Sequence, residues 1–92
     1  MSAFIIRYIE RTQAGSDDAR ALLAHRIEGL WDTPLQFEDT WLIQSNETSD
    51  HIRDQLTELV PDGDALLVIA ASQDAAWAGL GPVESEWLID HI

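Results

Sequence analysis

Strand-like and helix-like segments alternate along the 92 residues in an order that predicts an α+β fold. The order is strand, helix, strand, strand, helix, strand, followed by a helical tail. A split βαβ unit repeated in this way is typical of the ferredoxin-like βαββαβ sandwich, in which two helices cover one face of a four-stranded antiparallel sheet. The chain shows no internal repeat, linker or low-complexity segment, so residues 1–92 are expected to form a single domain.

The two sheet faces are predicted from alternation in the strand-like segments. Residues 3–10 alternate apolar side chains between two sides before a loop at residues 11–15, and residues 35–44 form a hairpin around a turn at residues 38–40. The face expected beneath the helices holds Phe4, Ile6, Tyr8, Leu35, Phe37, Trp41 and Ile43. The opposite face is expected to hold Ile5, Arg7, Ile9, Gln36, Glu38, Leu42 and Gln44.

Apolar residues at helical spacing predict two amphipathic helices. The first should span residues 17–30 behind a Ser16 cap, because two acidic residues follow that serine and suit the positive end of a helix dipole. The second should span residues 49–60, with Thr48 or Ser49 as its cap. The core-facing residues are expected to be Ala19, Leu22, Leu23, Ile27 and Leu30 in the first helix and Ile52, Leu56, Leu59 and Val60 in the second.

The C-terminal third is predicted to contain one strand and one short helix. A turn at residues 61–64 ends the second helix, and residues 65–71 are continuously apolar, which predicts a strand that is covered on both faces. A loop over residues 73–82 follows, and Pro82 suits the first position of the last helix. The apolar side of that helix is expected to hold Val83, Trp87 and Leu88.

Four large apolar residues after the last strand must cover some apolar surface. They are Trp77, Leu80, Trp87 and Leu88. One reading is a lid on the chain's own core. The other is a contact with a second subunit, because tryptophan is common among interface hot spots. The sequence leaves both readings open.

Net charge is the most unusual feature of the composition. Seventeen acidic residues stand against five arginines and no lysine, which gives a formal net charge of −12. Nucleic-acid binders gain affinity by neutralising phosphates with Lys and Arg, so binding to DNA, RNA or an anionic membrane is not expected. An acidic, self-repelling surface accounts for the charge. Three sharper readings stay open: mimicry of nucleic acid, a basic protein partner, and adaptation to high salt.

Cysteine and targeting signals are both lacking in this sequence. Without cysteine there are no disulfides, thiolate metal sites or cysteine nucleophiles. The N-terminus has no basic segment leading into an apolar run, and no stretch approaches the roughly 18 apolar residues that a membrane span needs. A cytoplasmic location is therefore expected.

Two small groups of possible ligands are weak candidates for metal binding. His25 and Glu28 have a spacing that suits one metal ion, but no second pair of ligands accompanies them, so a solvated helix face is favoured. The Asp-Gly-Asp segment at residues 62–64 lacks the further ligands of a calcium loop and reads as a turn.

The glycines and the other histidines give no stronger signal. The Gly-Leu-Gly segment at residues 79–81 has no third glycine at a strand–helix junction, so it is a weak phosphate-loop candidate. His51 and His91 have no serine or cysteine partner at a recognisable spacing. No cofactor or metal ion is expected.

Six short segments that span nearly the whole chain carry a family resemblance. They are Phe4-Ile5-Ile6-Arg7-Tyr8, Asp39-Thr40-Trp41-Leu42-Ile43, Ile52-Arg53-Asp54-Gln55-Leu56, Gly63-Asp64, Ala76-Trp77-Ala78-Gly79-Leu80 and Glu86-Trp87-Leu88. In order and spacing the chain resembles a group of small bacterial hypothetical proteins, some of them labelled SinR-like, although it shows no helix-turn-helix. Those proteins in turn resemble the small CRISPR-associated subunit of the spacer-integration complex.

The resemblance implies a ferredoxin-like homodimer. In the CRISPR-associated family an aspartate directly after the tyrosine of the first strand is the proposed metal-binding acid at the dimer interface. Here that position is Ile9, which offers no oxygen ligand to a hard cation. Glu10 is one residue later, and one step along a strand points to the opposite face. The tip of the first strand is therefore expected to be structural rather than catalytic.

The expected function is that of a non-enzymatic, acidic homodimer with no assigned cellular role. Arg7 would then need a carboxylate partner at the interface, and Glu38 is the nearest by pattern. Two alternatives stay open: a divergent metal-dependent nuclease that uses Glu10 or another acid, and an inhibitor or antitoxin-type protein whose acidic helix face docks on a basic protein. The expected interface residues are Ile5, Arg7, Ile9, Leu42, Trp77 and Trp87.

Overall fold

A computed structural model describes residues 2–12 and 16–92, so the predicted loop at residues 11–15 lies partly outside the described residues. The described residues form an α+β fold of four strands, three α-helices and one 3₁₀ turn. None of these helices combines the length and the hydropathy that a membrane crossing requires. The elements are β1 Ser2–Ile9, α1 Ser16–Leu30, β2 Leu35–Phe37, β3 Thr40–Ser45, α2 Ser49–Leu56, the 3₁₀ turn Thr57–Leu59, β4 Ala65–Ala71 and α3 Pro82–His91.

The sheet is antiparallel throughout, and its strand order is β2-β3-β1-β4. Within it Phe4 pairs with Ile43 and Ile6 pairs with Trp41, and directly opposed side chains share a face. We call the side of these four residues the helix face, because α1 and α2 pack on it. The side of Ile5 is the far face.

The helix face carries the hydrophobic core. Tyr8 and Trp41 are each 1% exposed on this face, which confirms the predicted register between β1 and β3. Because α1 and α2 contribute one apolar side each, a single compact cluster forms between the helices and the sheet. Its buried members are Phe4, Ile6, Tyr8, Ala19, Leu23, Ile27, Trp31, Trp41, Ile43, Ile52 and Leu56.

The register of β2 differs from the prediction by one residue. Phe37 pairs with Thr40, and Gln36 pairs with Trp41. Leu35 and Phe37 therefore lie on the far face, so their predicted place on the helix face is wrong. Gln36, which was predicted for the far face, lies on the helix side.

The turn between β2 and β3 explains this difference. The prediction assigned residues 38–40 to the turn, whereas the hairpin turns over only Glu38 and Asp39. Glu38 holds a φ of +51°, in the left-handed region. Removing one residue from the turn shifts the register by one and moves every side chain of β2 to the opposite face. Glu38 itself lies in the turn and not on the far face.

Helix α1 buries a narrower stripe than predicted. It begins at Ser16, the predicted cap residue, whose side chain lies outside the described part of the chain. Leu22 and Leu30 are 53% and 42% exposed, so their predicted core positions are wrong. The buried positions recur at a spacing of four, which keeps them on one line along the helix. They are Ala19, Leu23, Ile27 and Trp31.

Helix α2 has the predicted cap. The Thr48 side chain accepts a hydrogen bond from the backbone N–H of His51, which decides between Thr48 and Ser49. The helix ends at Leu56 and tightens into a 3₁₀ turn over residues 57–59, where one continuous helix was predicted. The predicted core-facing side chains are buried or packed against the core: Ile52, Leu56, Leu59 and Val60.

β4 is an edge strand, and the chain's own helices leave most of its far side uncovered, so its predicted cover on both faces would have to come from a second copy. Leu67 and Ile69 on the far face are 42% and 46% exposed. The reason is that α1 and α2 both pack on the helix face, and α3 covers the far face only at one end.

Helix α3 follows the predicted start but not the predicted apolar side. Pro82 is its first residue after the Gly81 cap, as predicted. Leu88 is buried, and Gln44 of the far face donates a hydrogen bond to the backbone oxygen of His91 at 2.9 Å. Val83, predicted to face inward, is 75% exposed.

Candidate functional site

The end of β1 is held by an arginine on α1. Arg20 donates to the Glu10 carboxylate at 2.5 Å, to the Asp17 carboxylate at 2.7 Å and to Asp39 in the β2–β3 turn. The hydrogen bond to Asp39 is the main cause that raises the pKa of Arg20 above its ordinary value. Glu10, the candidate catalytic acid, is therefore one carboxylate of an ion-pair network at the tip of β1.

A second carboxylate at the same end of the sheet is Asp64, directly before β4. It accepts hydrogen bonds from the backbone N–H of Arg11 and of Thr12, each at 2.8 Å, from the Thr12 hydroxyl at 2.9 Å, and from the Tyr8 hydroxyl. The bond from Tyr8 is the main cause that holds the pKa of Asp64 well below its usual range. Burial, followed by the bond to Asp64, raises the pKa of Tyr8 to about 12.

Asp64 is a structural carboxylate. Its four donors keep it ionised, so it is not poised to give or take a proton near neutral pH, as a general acid or base would be. Gly63 beside it has a φ of +93°, and a Cβ at Gly63 would lie 2.8 Å from the Thr12 methyl. The predicted turn at residues 62–64 is thus confirmed. Through the hydrogen bonds of Asp64 it connects the segment that follows β1 with the segment that precedes β4.

A third network surrounds Glu47, which the sequence reasoning missed. The Glu47 carboxylate accepts hydrogen bonds from the Ser45 hydroxyl at 2.7 Å, from Trp31 Nε1 at 2.8 Å and from Gln55 Nε2 at 2.7 Å. His51 Nδ1 lies 3.1 Å away. These hydrogen bonds, the one from Ser45 first, lower the pKa of Glu47. The only sequence signal was an acid between a strand and a helix cap.

Glu47 lies on the wall of a cleft between the helices and the sheet. The cleft measures about 560 Å³ and separates the end of α1 and the end of β3 from the last turn of α3. Because Glu47 already accepts from several donors, the cleft wall it forms is satisfied without a ligand. The residues that line the cleft include Trp31, Asp32, Gln44, Asn46, Glu47 and His91.

The far face brings together four of the six predicted interface residues: Ile5, Arg7, Ile9 and Leu42. Two exposed residues of β4 join them there, because Leu67 pairs with Arg7 and Ile69 pairs with Ile5. The sequence reasoning missed Leu67 and Ile69, since a continuously apolar strand does not reveal which side stays uncovered. We call Ile5, Arg7, Ile9, Leu67 and Ile69 the far patch.

Arg7 in the far patch does not have the predicted partner. Its guanidinium donates to the Thr40 hydroxyl at 3.3 Å and remains exposed, whereas Glu38 lies in the β2–β3 turn. Within residues 2–12 and 16–92 Arg7 makes no ion pair.

The two predicted interface tryptophans lie in the C-terminal segment, outside the far patch. Trp87 donates to the backbone oxygen of Thr33 at 2.6 Å and stacks on the His91 ring, with 4.3 Å between ring centroids. Trp77 is 39% exposed and donates to the Ser85 hydroxyl at 3.2 Å. Trp87 therefore binds α3 to the segment of the same chain that precedes β2.

The weaker candidate ligands for a metal ion or a phosphate do not form a common site among the described residues. In the part of the chain that the structure describes, no three His, Cys, Asp or Glu side chains come together in a metal-binding group. His25 and Glu28 are both exposed on α1. Gly79 has a φ of +80° in the loop before α3, and a Cβ there would meet no neighbouring atom within 4 Å.

Comparison with known proteins found no relative of this chain. No protein-family model, curated protein or solved structure matches the chain.

Proposed function

We propose that the protein is a non-enzymatic, acidic homodimer that pairs through the far patch. The observation that carries the proposal is the exposure of Leu67 and Ile69, at 42% and 46%, directly opposite Arg7 and Ile5 in the sheet. Contiguous apolar surface of this kind on a soluble domain commonly marks an interface.

We also propose that the fold is the ferredoxin-like sandwich and that the chain is akin to the small CRISPR-associated subunit. The strand order β2-β3-β1-β4, with α1 and α2 together on the helix face, supports this assignment. The six segments that carry the resemblance support the kinship. Ile9 stands where that family has its metal-binding aspartate, so the proposed likeness is one of fold and pairing, without the metal chemistry.

A second copy of the chain is the occupant that best suits the far patch. The patch lies on one face of the sheet, and a twofold axis through it lays apolar strand on apolar strand and repeats every contact. Arg7 makes no ion pair among the described residues, and the strands of the far face carry no acid, so the pairing has to leave its guanidinium in contact with water. Two chains of net charge −12 also repel each other, so moderate salt should strengthen the pairing by screening that repulsion.

The test is the mass of the chain in solution and its response to one charge on the patch. Wild-type protein at high micromolar concentration is expected to sediment as a dimer, and more completely at 0.15 M salt than at about 0.01 M. Ile69→Asp should weaken dimerisation about 10-fold or more, because Ile69 is 46% exposed in the single chain and burying that exposed part contributes about 1 kcal/mol at each of its two copies. Ile69 is exposed in the monomer, so this variant should keep its fold by circular dichroism.

The matched control is Leu22→Asp, which places the same charge on an exposed leucine of α1, on the other side of the sheet. It should leave the dimer intact. A monomeric wild type, or equal losses for the two variants, would show that the far patch is not the interface.

The rival nuclease activity is tested separately. It requires a carboxylate that can hold a divalent cation, whereas Glu10 is engaged by Arg20 at 2.5 Å. We expect no cleavage of single-stranded RNA or duplex DNA as magnesium is titrated. Cleavage that disappears in Glu10→Gln would establish the enzyme instead.

A further inference from the structure

The outer edge of β4 is open for pairing with another strand. β4 stands at the end of the strand order, and no other strand of the described chain pairs with its outer side. Every second residue of such an edge directs its N–H and C=O outward, and proteins usually protect edges with charged residues, proline or short strands. β2 at the other edge has three residues, whereas β4 runs for seven from Ala65 to Ala71 with neither charge nor proline.

A groove runs along this edge between α2 and β4. Its first part, of about 400 Å³, lies between the start of α2 and the middle of β4. Its second part, of about 320 Å³, shares Arg53 and Leu66 with the first and reaches the turn at residues 62–64. The first part is lined by Ser49, Asp50, Arg53, Leu66, Leu67 and Val68.

The rim of this groove is acidic at both ends. Asp50 lies in the first part and Asp62 in the second. Arg53, which lines both parts, is paired with Asp54 at 2.9 Å, so its charge is offset. The main chain of β4 thus lies beside the carboxylates of the rim, of which Asp50 also accepts a hydrogen bond from the Thr48 hydroxyl, on the edge of a chain with net charge −12.

We propose that the groove binds an extended, basic segment of a partner protein, which pairs with β4 as a fifth strand. Strand addition supplies main-chain hydrogen bonds, and alternate side chains of the added strand point to the two sides of the sheet. Basic side chains on the α2 side meet Asp50 and Asp62. Apolar side chains on the other side extend the row of Leu67 and Ile69.

A second copy is the weaker candidate for this edge. Its own β4 would bring no basic residue to the acidic rim, and its net charge of −12 would add repulsion. The far patch covers a face of the sheet and the groove takes its edge, and the two surfaces adjoin at Leu67.

The test uses an acetylated and amidated Lys-Val-Lys-Val-Lys-Val-Lys peptide titrated into the full-length, ¹⁵N-labelled chain. Amide resonances of β4 should shift, and their hydrogen exchange should slow as the peptide saturates the edge. The double variant Asp50→Asn with Asp62→Asn should bind about fivefold more weakly, since two surface charge contacts are lost. The matched double variant Asp18→Asn with Asp90→Asn removes the same charge from exposed positions of α1 and α3 and should change the affinity less than about twofold.

Two further peptides decide between strand pairing and general charge attraction. Replacing the lysines with glutamates, or the central valine with proline, should abolish binding, because the first reverses the charge and the second removes a strand hydrogen bond. The proposal is overturned if either peptide binds as well as the first, or if the shifts map away from β4. It is also overturned if the free protein already protects the outer β4 amides by pairing two copies.

Discussion

Glu47 and Asp64 are two carboxylates whose surroundings hold them in the ionised form. Glu47 gathers donors from β3, α2 and the end of α1, and Asp64 gathers them from β1 and the chain that follows it. Hydrogen bonds to charged groups are among the stronger polar contributions to stability. Both residues therefore act on the fold, by joining elements that are distant in sequence.

Replacing Glu47 with alanine should lower the free energy of unfolding by about 1–3 kcal/mol, because Trp31 Nε1 and the Ser45 hydroxyl lose their acceptor in a partly buried site. Urea denaturation followed by tryptophan fluorescence measures the change. Glu28→Ala, on the exposed surface of α1, is the control and should stay within about 0.5 kcal/mol of wild type. Equal effects in the two variants would show that the Glu47 network contributes nothing.

Asp64 should make the stability depend on pH in the acidic range. Its pKa is lower in the folded chain than in the unfolded one, so its contribution is fully present above the unfolded value of about 3.9 and is lost as the pH falls toward the folded value. Asp64→Asn should melt at a lower temperature than wild type at pH 7. The difference should shrink as the pH drops below about 4. A difference in melting temperature between wild type and Asp64→Asn that stays constant down to pH 2 would contradict this role.

The sequence could not reveal either network. Glu47 is a single acid in a chain with seventeen acidic residues, and the Asp-Gly-Asp pattern around Asp64 indicates a turn but not the donors that Asp64 binds. Their donors come from other elements, so the networks exist only once the sheet and the helices have assembled. The same holds for Glu10, whose partner Arg20 is ten residues away on α1.

At the scale of elements, local signals were sufficient where the determining contacts are local. Thr48 caps α2 through a bond within its own turn, and Pro82 begins α3 because it needs no N–H there. The alternation of β1 and β3 gave the correct core face. The predicted face of β2 was wrong because the strand register depends on the geometry of the turn between β2 and β3. The left-handed residue of that turn is Glu38, and no glycine or asparagine marks it in the sequence.

Glu38→Gly should stabilise the hairpin. A φ of +51° costs a non-glycine residue about 1–2 kcal/mol, and the extra unfolded-state freedom of glycine offsets part of the gain, which leaves about 0.5 kcal/mol. Thermal melting measures the change. Gln36 in the same hairpin has no positive φ for glycine to relieve, so Gln36→Gly should destabilise the fold. A lower melting temperature for both variants would mean that the Glu38 side chain matters more than its backbone angle.

At the scale of the whole molecule, the few cations of the chain are largely occupied. Arg20 pairs with three carboxylates, Arg26 with Glu58 and Arg53 with Asp54. Ion pairs on the surface contribute little to stability, but they remove positive charge from any binding surface. Few arginines of the described surface are thus left to contact an anion.

We therefore expect no specific or non-specific binding to duplex DNA or RNA at physiological salt. The net charge of −12 repels a phosphate backbone, and few arginines are available to release its counterions. A gel-shift titration at about 0.15 M salt, where screening is already substantial, measures this. Micromolar affinity for either nucleic acid would refute the expectation.

The central place of β1 has a consequence for how the chain folds during synthesis. β1 pairs on one side with β4, so that Ala3 meets Ala71 and the sheet cannot close until most of the chain has left the ribosome. Contacts between residues so far apart in sequence raise the contact order, and folding slows as the contact order rises. Until β4 arrives, a nascent chain holds the apolar edge of β1 unpaired, and an unpaired strand edge makes a partly folded chain prone to aggregation.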